Sequence, residues 1–216
     1  MVKLTNCLGK KDAPRGKFKI HSAVSLVTIL LIALSLQACQ SAKLSHIMVG
    51  EKIATGSNLV VVKVFRKGQQ VKTEQGMGLR IGDTITTDER STAVIEFSPK
   101  VQVFLTPGTQ VQIGTLTLKF GKVLVIIKEK LKKAFEVKTE DVSAGPTSTV
   151  FSVAKKAGGP TTVAVVNGTV KLNSPVNAWP EVRLERQKQA ITYSGKRPEI
   201  EPVPQAEFNS VVAWAN

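Results

Sequence analysis

The sequence is poor in the residues that most often carry catalysis or bind metals. Its 216 residues include two cysteines, Cys7 and Cys39, and two histidines, His21 and His46. The chain beyond His46 therefore offers no disulfide, thiol nucleophile, histidine triad or zinc site. Aspartate and glutamate show no pattern that separates an acid–base pair from surface charge. We expect a protein that is not an enzyme and binds no cofactor or metal, with a carboxylate-dependent hydrolase as the remaining catalytic alternative.

Aromatic residues are also scarce, at 5% of the chain, whereas 30 basic residues stand against 16 acidic ones. Because few rings are available to stack on bases and the positive charges are scattered, nucleic acid is not expected as a partner. Residues 1–38 hold six of the basic and one of the acidic residues, so the remainder keeps a net charge of +9. This charge favours anionic surfaces such as lipopolysaccharide phosphates, acidic lipids or wall polymers. An ordinary solvated basic surface is the alternative interpretation.

The chain also lacks a clear membrane-spanning run, which needs about 20 apolar residues. The apolar run Ala23–Ala38 has 16 residues, is broken by four polar ones, and follows a basic segment. A basic segment, a short apolar core and small residues before a cleavage point make up a secretory signal. The sequence therefore predicts a signal peptide over residues 1–38. An uncleaved anchor and a buried core helix are the alternatives.

The end of this run, Leu36-Gln37-Ala38-Cys39, resembles a bacterial lipobox. Lipoproteins with this motif are cut just before the cysteine, which then carries lipid on its sulfur and usually an acyl chain, such as palmitate, on its amino group. The resemblance implies that Cys39 is a lipid attachment site and that acyl chains hold the protein to a membrane. Gln40 follows, where an aspartate would retain such a protein in the inner membrane. The expected location is therefore the cell envelope, facing the periplasm, with the outer membrane favoured if the host is Gram-negative.

The rest of the chain has the pattern of an all-β protein. Residues 40–56 are small, polar and weakly patterned, which predicts a flexible tether over residues 39–57. From Asn58 onward, apolar and polar residues alternate and β-branched residues are frequent, as in half-buried strands. About ten short strands follow one another with turns between them. We predict a single sandwich-like or solenoid-like domain over residues 58–194, with a barrel as the alternative.

Two shorter segments carry local signals. Asn167-Gly168 joins two apolar runs and predicts a hairpin with a type I′ turn. Residues 195–216 depart from the strand pattern. Three prolines in Lys196–Pro204 predict an extended, polyproline-like segment. Gln205–Trp214 predicts a short C-terminal helix that either packs on the domain or docks on a partner.

Six segments match, in order, the pattern of a known domain: Gly78–Thr87, Ser91–Phe97, Val103–Val111, Gly121–Val123, Phe135–Thr139 and Val165–Leu172. Together they resemble the FecR domain family over roughly residues 59–193. The resemblance implies a β domain of the cell envelope that binds another protein. The family's namesakes are single-span regulators that hold a sigma factor, and this chain is not expected to share that architecture.

The first of these segments contains the pair Gly82-Asp83, which predicts a structural turn. Glycine permits a tight turn, and the aspartate can accept hydrogen bonds from the backbone of its own turn. Ile81 and Ile85 flank the turn, and we expect both to be buried.

Taken together, the lipobox and the FecR resemblance favour a non-enzymatic envelope lipoprotein that recognises a protein in signalling or assembly. The alternative is a structural module that binds anionic wall glycan or lipid through its basic surface.

Overall fold

A computed structural model describes residues 42–50, 52–54, 61–131 and 134–215. Within these ranges the chain forms sixteen strands and one helix, α1 (Gln205–Ala215). The strands are β1 Ala42–Val49, β2 Lys52–Ile53, β3 Val62–Arg66, β4 Gln69–Val71, β5 Gly78–Leu79, β6 Thr84–Thr87, β7 Ser91–Ser98, β8 Val101–Leu105, β9 Gln110–Gln112, β10 Leu116–Ile127, β11 Val137–Lys138, β12 Ser143–Lys155, β13 Thr161–Asn173, β14 Val182–Glu185, β15 Lys188–Thr192 and β16 Glu199–Pro202. The all-β prediction is confirmed. The predicted number of strands is too low, because several strands have only two or three residues, too few to show alternation.

All sixteen strands belong to one hydrogen-bonded sheet that folds over into two layers. The first layer runs β4-β3-β6-β9, continues through one half of β10, β12 and β13, and ends at β14. The second layer runs β2-β1-β7-β8, continues through the other half of the same three strands, and ends at β15 and β16. Strand β11 lies between β10 and β12 in the first layer, and β5 pairs with β1. The three long strands therefore join the two layers.

Each long strand changes direction at one residue with positive φ. These residues are Gly121 in β10, Ser148 in β12 and Gly168 in β13, with φ of 94°, 51° and 85°. Strand β10 buries even-numbered residues in the shared core before Gly121 and odd-numbered residues after it, and β13 makes the opposite change at Gly168. Strands that pass between the two sheets of a sandwich do so at such bulges. The bends thus keep the apolar face of each strand directed inward in both layers.

One apolar core fills the space between the layers. Val64 and Ile85 enter it from the first layer and Ile95 and Val103 from the second, and all four are fully buried. Burying a side chain of this size contributes about 1.5–3 kcal/mol to stability. The shared core therefore holds the two layers together as a sandwich.

The flexible tether predicted over residues 39–57 is wrong for the described part of that range. Ala42–Val49 forms β1, which pairs with β7, and its Leu44 and Ile47 are fully buried. The register shifts between Leu44 and His46, so the alternation breaks inside the strand. Such a bulge moves the buried set by one position and hides the two-residue period by which a strand is recognised.

The hairpin predicted at Asn167-Gly168 is also wrong, because β13 runs continuously through both residues. A Cβ on Gly168 would lie 2.5 Å from the carbonyl oxygen of Ser148 and 2.5 Å from Cγ2 of Thr149. Glycine is therefore required here for a bend and for the close approach of β12. Bends and type I′ turns both select glycine for positive φ, so the sequence signal does not distinguish them.

The predicted C-terminal helix is confirmed as α1, and it packs on the outer face of the second layer. Val211 is buried against Leu124, and Glu207 forms an ion pair of 2.7 Å with Lys122. Leu124 lies in the apolar run of β10, which is covered by the core on one face and by α1 on the other. Packing on the domain is thus the observed arrangement for the described side chains of this helix.

The polyproline-like segment predicted over Lys196–Pro204 is wrong for Glu199–Pro202, which forms β16 and pairs with β15. Proline is tolerated in a strand at the edge of a sheet, where its missing N–H is not needed for pairing. The predicted signal peptide and Cys39 lie outside the described residues. Within the described ranges, no helix has the length and apolar character needed to cross a membrane.

Candidate interaction surface

The predicted Gly82-Asp83 turn connects β5 to β6 and is held by a dense set of hydrogen bonds. The Asp83 side chain is 1% exposed and accepts hydrogen bonds from the Arg80 backbone N–H at 2.9 Å and from Arg66 Nε and Nη2 at 2.9 and 2.7 Å. Arg66 Nη2 also donates to the Gly78 carbonyl at 3.3 Å. Gly82 has a φ of 90°, which suits glycine. The carboxylate thus ties the turn to the neighbouring strand β3.

Burial raises the pKa of the Asp83 carboxyl, but the hydrogen bonds and charges of Arg66 and Arg80 outweigh it and leave that pKa below its usual range. A buried carboxylate with a bidentate arginine partner remains ionised at neutral pH. All its described contacts are with its own domain. The arrangement makes Asp83 a clamp that fixes the turn.

The turn places its two flanking isoleucines differently. Ile85 is fully buried, as expected, whereas the expectation for Ile81 is wrong, because this side chain is 73% exposed. Ile81 lies over Gly114, where an added Cβ would approach its Cγ2 to 3.4 Å. The clamped turn therefore presents a large apolar side chain to solvent.

A groove of about 810 Å³ opens beside Ile81. Its lining includes Val101, which is buried, and the rings of Phe97 and Phe135, which pack edge to face with centroids 5.2 Å apart. Both rings also pack against the core. The groove is thus an opening at the end of the sandwich, where apolar residues of the core region reach the surface.

Cations border this groove. Lys100 and Lys130 line it, and Arg80 precedes Ile81 in the chain. Lys100 forms an ion pair with Glu129, and the charge of Arg80 acts on Asp83, whereas Lys130 forms no ion pair with the described residues. The surface therefore combines one exposed apolar side chain, Ile81, with a lysine, Lys130, that has no ion partner among the described residues. We call this surface, made of Ile81, the groove and its cations, the groove end.

Strand β1 begins at the groove end. Ala42 pairs with Leu79, two residues before Ile81, and Lys43 pairs with Glu96, the residue before Phe97. The first described residues of the chain therefore lie beside the groove.

The opposite end of the sandwich holds a buried ionic cluster. The side chains of Lys155 and Asp141 are each 3% exposed, and Lys155 Nζ lies 2.8 Å from Asp141 Oδ2. Lys155 also pairs with Glu140 at 2.6 Å and donates to the Gly159 carbonyl at 2.5 Å, while Thr161 Oγ1 donates to Asp141 Oδ2 at 2.6 Å. The ammonium group thus has a partner for each of its three hydrogens. Burial lowers the pKa of Lys155, but the hydrogen bonds and charges of Asp141 and Glu140 outweigh it and raise that pKa.

Strand β10 connects the two ends. Gly121 pairs with Lys155, and Ile127 pairs with Val101 in the groove. At about 3.3 Å per residue, the ionic cluster and the groove are separated by roughly 20 Å. Because Lys155 is saturated with partners and closed to solvent, the cluster belongs to the interior of the fold and offers no site for a ligand.

The site residues predicted from the sequence are thus placed unevenly. Gly82 and Asp83 lie in the clamped turn, whereas the lipobox residues Leu36, Gln37, Ala38 and the lipidation residue Cys39 lie outside the described residues. No group of three or more His, Cys, Asp or Glu within the described ranges could hold a metal ion. Sequence reasoning missed both the groove and the ionic cluster. The lysine-rich stretch around Leu131 is the sequence feature that could have indicated the groove, whereas no local sequence pattern marks the ionic cluster.

Comparison with known proteins finds a family model that matches part of this chain. Residues 83–171 match the family model described as FecR protein. No curated protein matches the chain.

Two crystal structures of a candidate anti-sigma factor from Parabacteroides distasonis are similar to the chain, with sequence identities of 19% and 20% and TM-scores of 0.47 and 0.48. Each similarity covers 61% of this chain, and 64% or 63% of the other, so this chain spans slightly less than two thirds of their length. The region matched by the family model contains most of the ordered segments on which the sequence resemblance to FecR domains rests.

Proposed function

We propose that this protein is a non-enzymatic lipoprotein of the cell envelope whose FecR domain binds a protein partner in signalling or assembly. The FecR match over residues 83–171 is the observation that carries the proposal, because domains of this family belong to envelope signalling proteins. The domain's described polar clusters are satisfied internally, as in a structural scaffold.

The proposed anchor is a lipid on Cys39, after removal of residues 1–38. The lipobox Leu36–Cys39 supports it, and Gln40 supports transfer to the outer membrane of a Gram-negative host. Two acyl chains are needed for stable attachment, because a single chain binds only marginally. Cys39→Ala is expected to abolish incorporation of labelled palmitate, with Cys7→Ala as the matched control. Label that still enters the Cys39→Ala protein would contradict the anchor.

Crosslinking in intact cells tests the proposed partner. A specific envelope protein should be captured by the wild-type chain and lost when the core is broken by Ile95→Asp, which buries an unpaired charge at a fully buried position. Repeating the capture at high salt separates protein recognition from attraction of the basic surface to glycan or lipid, since exposed charge pairs are screened. Recovery of glycan or lipid alone would replace the protein partner with the structural alternative.

A further inference from the structure

We propose that the groove end faces the membrane and docks on a bilayer containing anionic phospholipids, with Ile81 entering the interface and Lys100 and Lys130 lying among the phosphates. The proposal rests on the proposed anchor at Cys39 and adds an orientation to it. Its ligand is the lipid surface itself.

The position of β1 is the first argument. Cys39 precedes Ala42 by three residues, a span of at most about 11 Å even when fully extended. Ala42 pairs with Leu79 and Lys43 with Glu96, so β1 starts beside Ile81 and Phe97. A lipid on Cys39 therefore brings the groove end, rather than the end with the ionic cluster, close to the bilayer. The long tether that would allow other orientations is replaced by a paired strand.

The chemistry of the surface is the second argument. A side chain as apolar as Ile81, 73% exposed, is costly to leave in water and gains free energy at the level of the lipid headgroups. Lys130 has no ion partner among the described residues, and Lys43 is a further exposed cation on β1. Basic groups near a membrane are attracted by anionic lipids, and each contributes to docking. An apolar tip bordered by cations is the composition of an interfacial binding surface.

The rigidity of the turn is the third argument. Asp83 holds the backbone of Arg80 and the guanidinium of Arg66 at 2.7–2.9 Å, so Ile81 is presented in one place. Docking therefore requires little ordering of this loop, which lowers its entropic cost. A protein segment in the groove is the competing occupant, and the position of β1 favours the bilayer.

The test is photo-crosslinking of the full-length protein in proteoliposomes of phosphatidylethanolamine and phosphatidylglycerol. A photoreactive phenylalanine derivative replaces Ile81 in one sample and Val176 in another. Val176 is 63% exposed and follows β13, whose last residue Asn173 pairs with Ser143 near the ionic cluster. Val176 does not line the groove, so it serves as an exposed apolar control away from that surface. Lipid adducts are expected at position 81 and not at position 176.

Charge reversal gives the second readout. Lys100→Glu and Lys130→Glu should each lower the ratio of docked to undocked domain by at least about fivefold in anionic vesicles. Arg183→Glu, at an exposed position of β14, should leave it unchanged. In vesicles of phosphatidylcholine alone, the lysine variants and the wild type should give equally low yields. Equal lipid adducts at positions 81 and 176, or protein adducts in place of lipid at position 81, would overturn the proposal.

Mass spectrometry of the N-terminal peptide separates this proposal from the anchor. Lipid on Cys39 without lipid adducts at position 81 keeps the anchor and rejects the orientation. Lipid adducts at position 81 with an unmodified Cys39 keep the docking surface and reject the anchor.

Discussion

Charged and apolar side chains are buried to opposite extents at the two ends of the sandwich. At the end with the ionic cluster, the Lys155 and Asp141 side chains are 3% exposed and bind each other, whereas at the groove end Ile81 is 73% exposed and Lys130 has no ion partner among the described residues. Strand β10 belongs to both ends, so strand geometry alone does not produce the difference. The ionic cluster is enclosed by its own partners, whereas the groove end presents Ile81 and Lys130 to another surface. Substitutions at the two ends should therefore separate stability from binding.

The largest loss of stability is expected from breaking the ionic cluster. Asp141→Ala removes one partner and leaves the Lys155 ammonium buried beside Glu140, which is itself exposed, so the free energy of unfolding should fall by about 3–5 kcal/mol. Urea unfolding measures it. The matched control is Glu181→Ala, which breaks the exposed pair Lys171–Glu181 and should cost less than about 1 kcal/mol. Equal losses in the two variants would show that the buried ionic cluster matters no more for stability than an exposed ion pair.

A double variant separates the pair's own contribution from the cost of an orphaned charge. Lys155→Met combined with Asp141→Leu should be less destabilising than the sum of the two single changes, because neither charge is left unpaired. Additive losses would mean that the two side chains act independently despite their 2.8 Å contact.

The next largest effect is expected at the bend of β13. Gly168→Ala places a Cβ 2.5 Å from the Ser148 carbonyl and Thr149 Cγ2, at a φ of 85°, so both the backbone and β12 must shift. Gly195→Ala, at a φ of 74° with no atom within 4 Å, carries the backbone strain alone. We expect a loss of about 1 kcal/mol at Gly195 and clearly more at Gly168, measured by thermal unfolding. Similar losses at both positions would show that the close approach of β12 to Gly168 adds no cost beyond the backbone strain.

The bend also shows where sequence reasoning succeeds and fails. Alternation predicts β7, β8 and the first half of β10, because their apolar residues recur every second position, and the continuous apolar run Val123–Ile127 predicts the second half of β10. Alternation fails at β1 and at Gly168, where a bulge shifts the period by one residue. The helix α1 was predictable because its apolar residues follow a helical spacing.

The contacts at the two ends differ in how far they can be predicted from the sequence. The turn at Gly82-Asp83 is local, so its residues were found, but the partner Arg66 lies 17 positions earlier and has no pattern of its own. Lys155 and Asp141 are 14 positions apart and meet only because β12 folds across the sandwich. Ile81 is exposed and lies over Gly114, 33 positions later in the chain, and alternation does not predict such a tertiary arrangement.

A smaller, pH-dependent effect is expected at the clamp of the groove end. Asp83→Asn weakens the contact with Arg66, whose side chain is 23% exposed and can be rehydrated, so the loss at pH 7 should be about 1–3 kcal/mol. The pKa of Asp83 is lower in the folded chain than in the unfolded chain, so its contribution is present above the unfolded value of about 3.9 and is lost as pH falls through the folded value. The stability difference between wild type and variant should therefore shrink below about pH 4. A difference that stays constant from pH 7 to pH 3 would contradict the assigned pKa direction.

The smallest effect on stability is expected at Ile81, and it distinguishes the two ends most sharply. Ile81→Ala removes apolar surface that is already 73% in water, so the free energy of unfolding should change by less than about 0.5 kcal/mol. Ile85→Ala is the matched control on the other side of the same turn, where the side chain is fully buried and the loss should be about 2–5 kcal/mol. Urea unfolding of both variants measures the contrast. A large loss at Ile81 would mean that this side chain supports the fold, and its exposure would then no longer argue for an interaction surface. A negligible loss would show that Ile81 does not support the fold. Its large apolar side chain then serves binding, because exposed apolar surface gains free energy only when it leaves water.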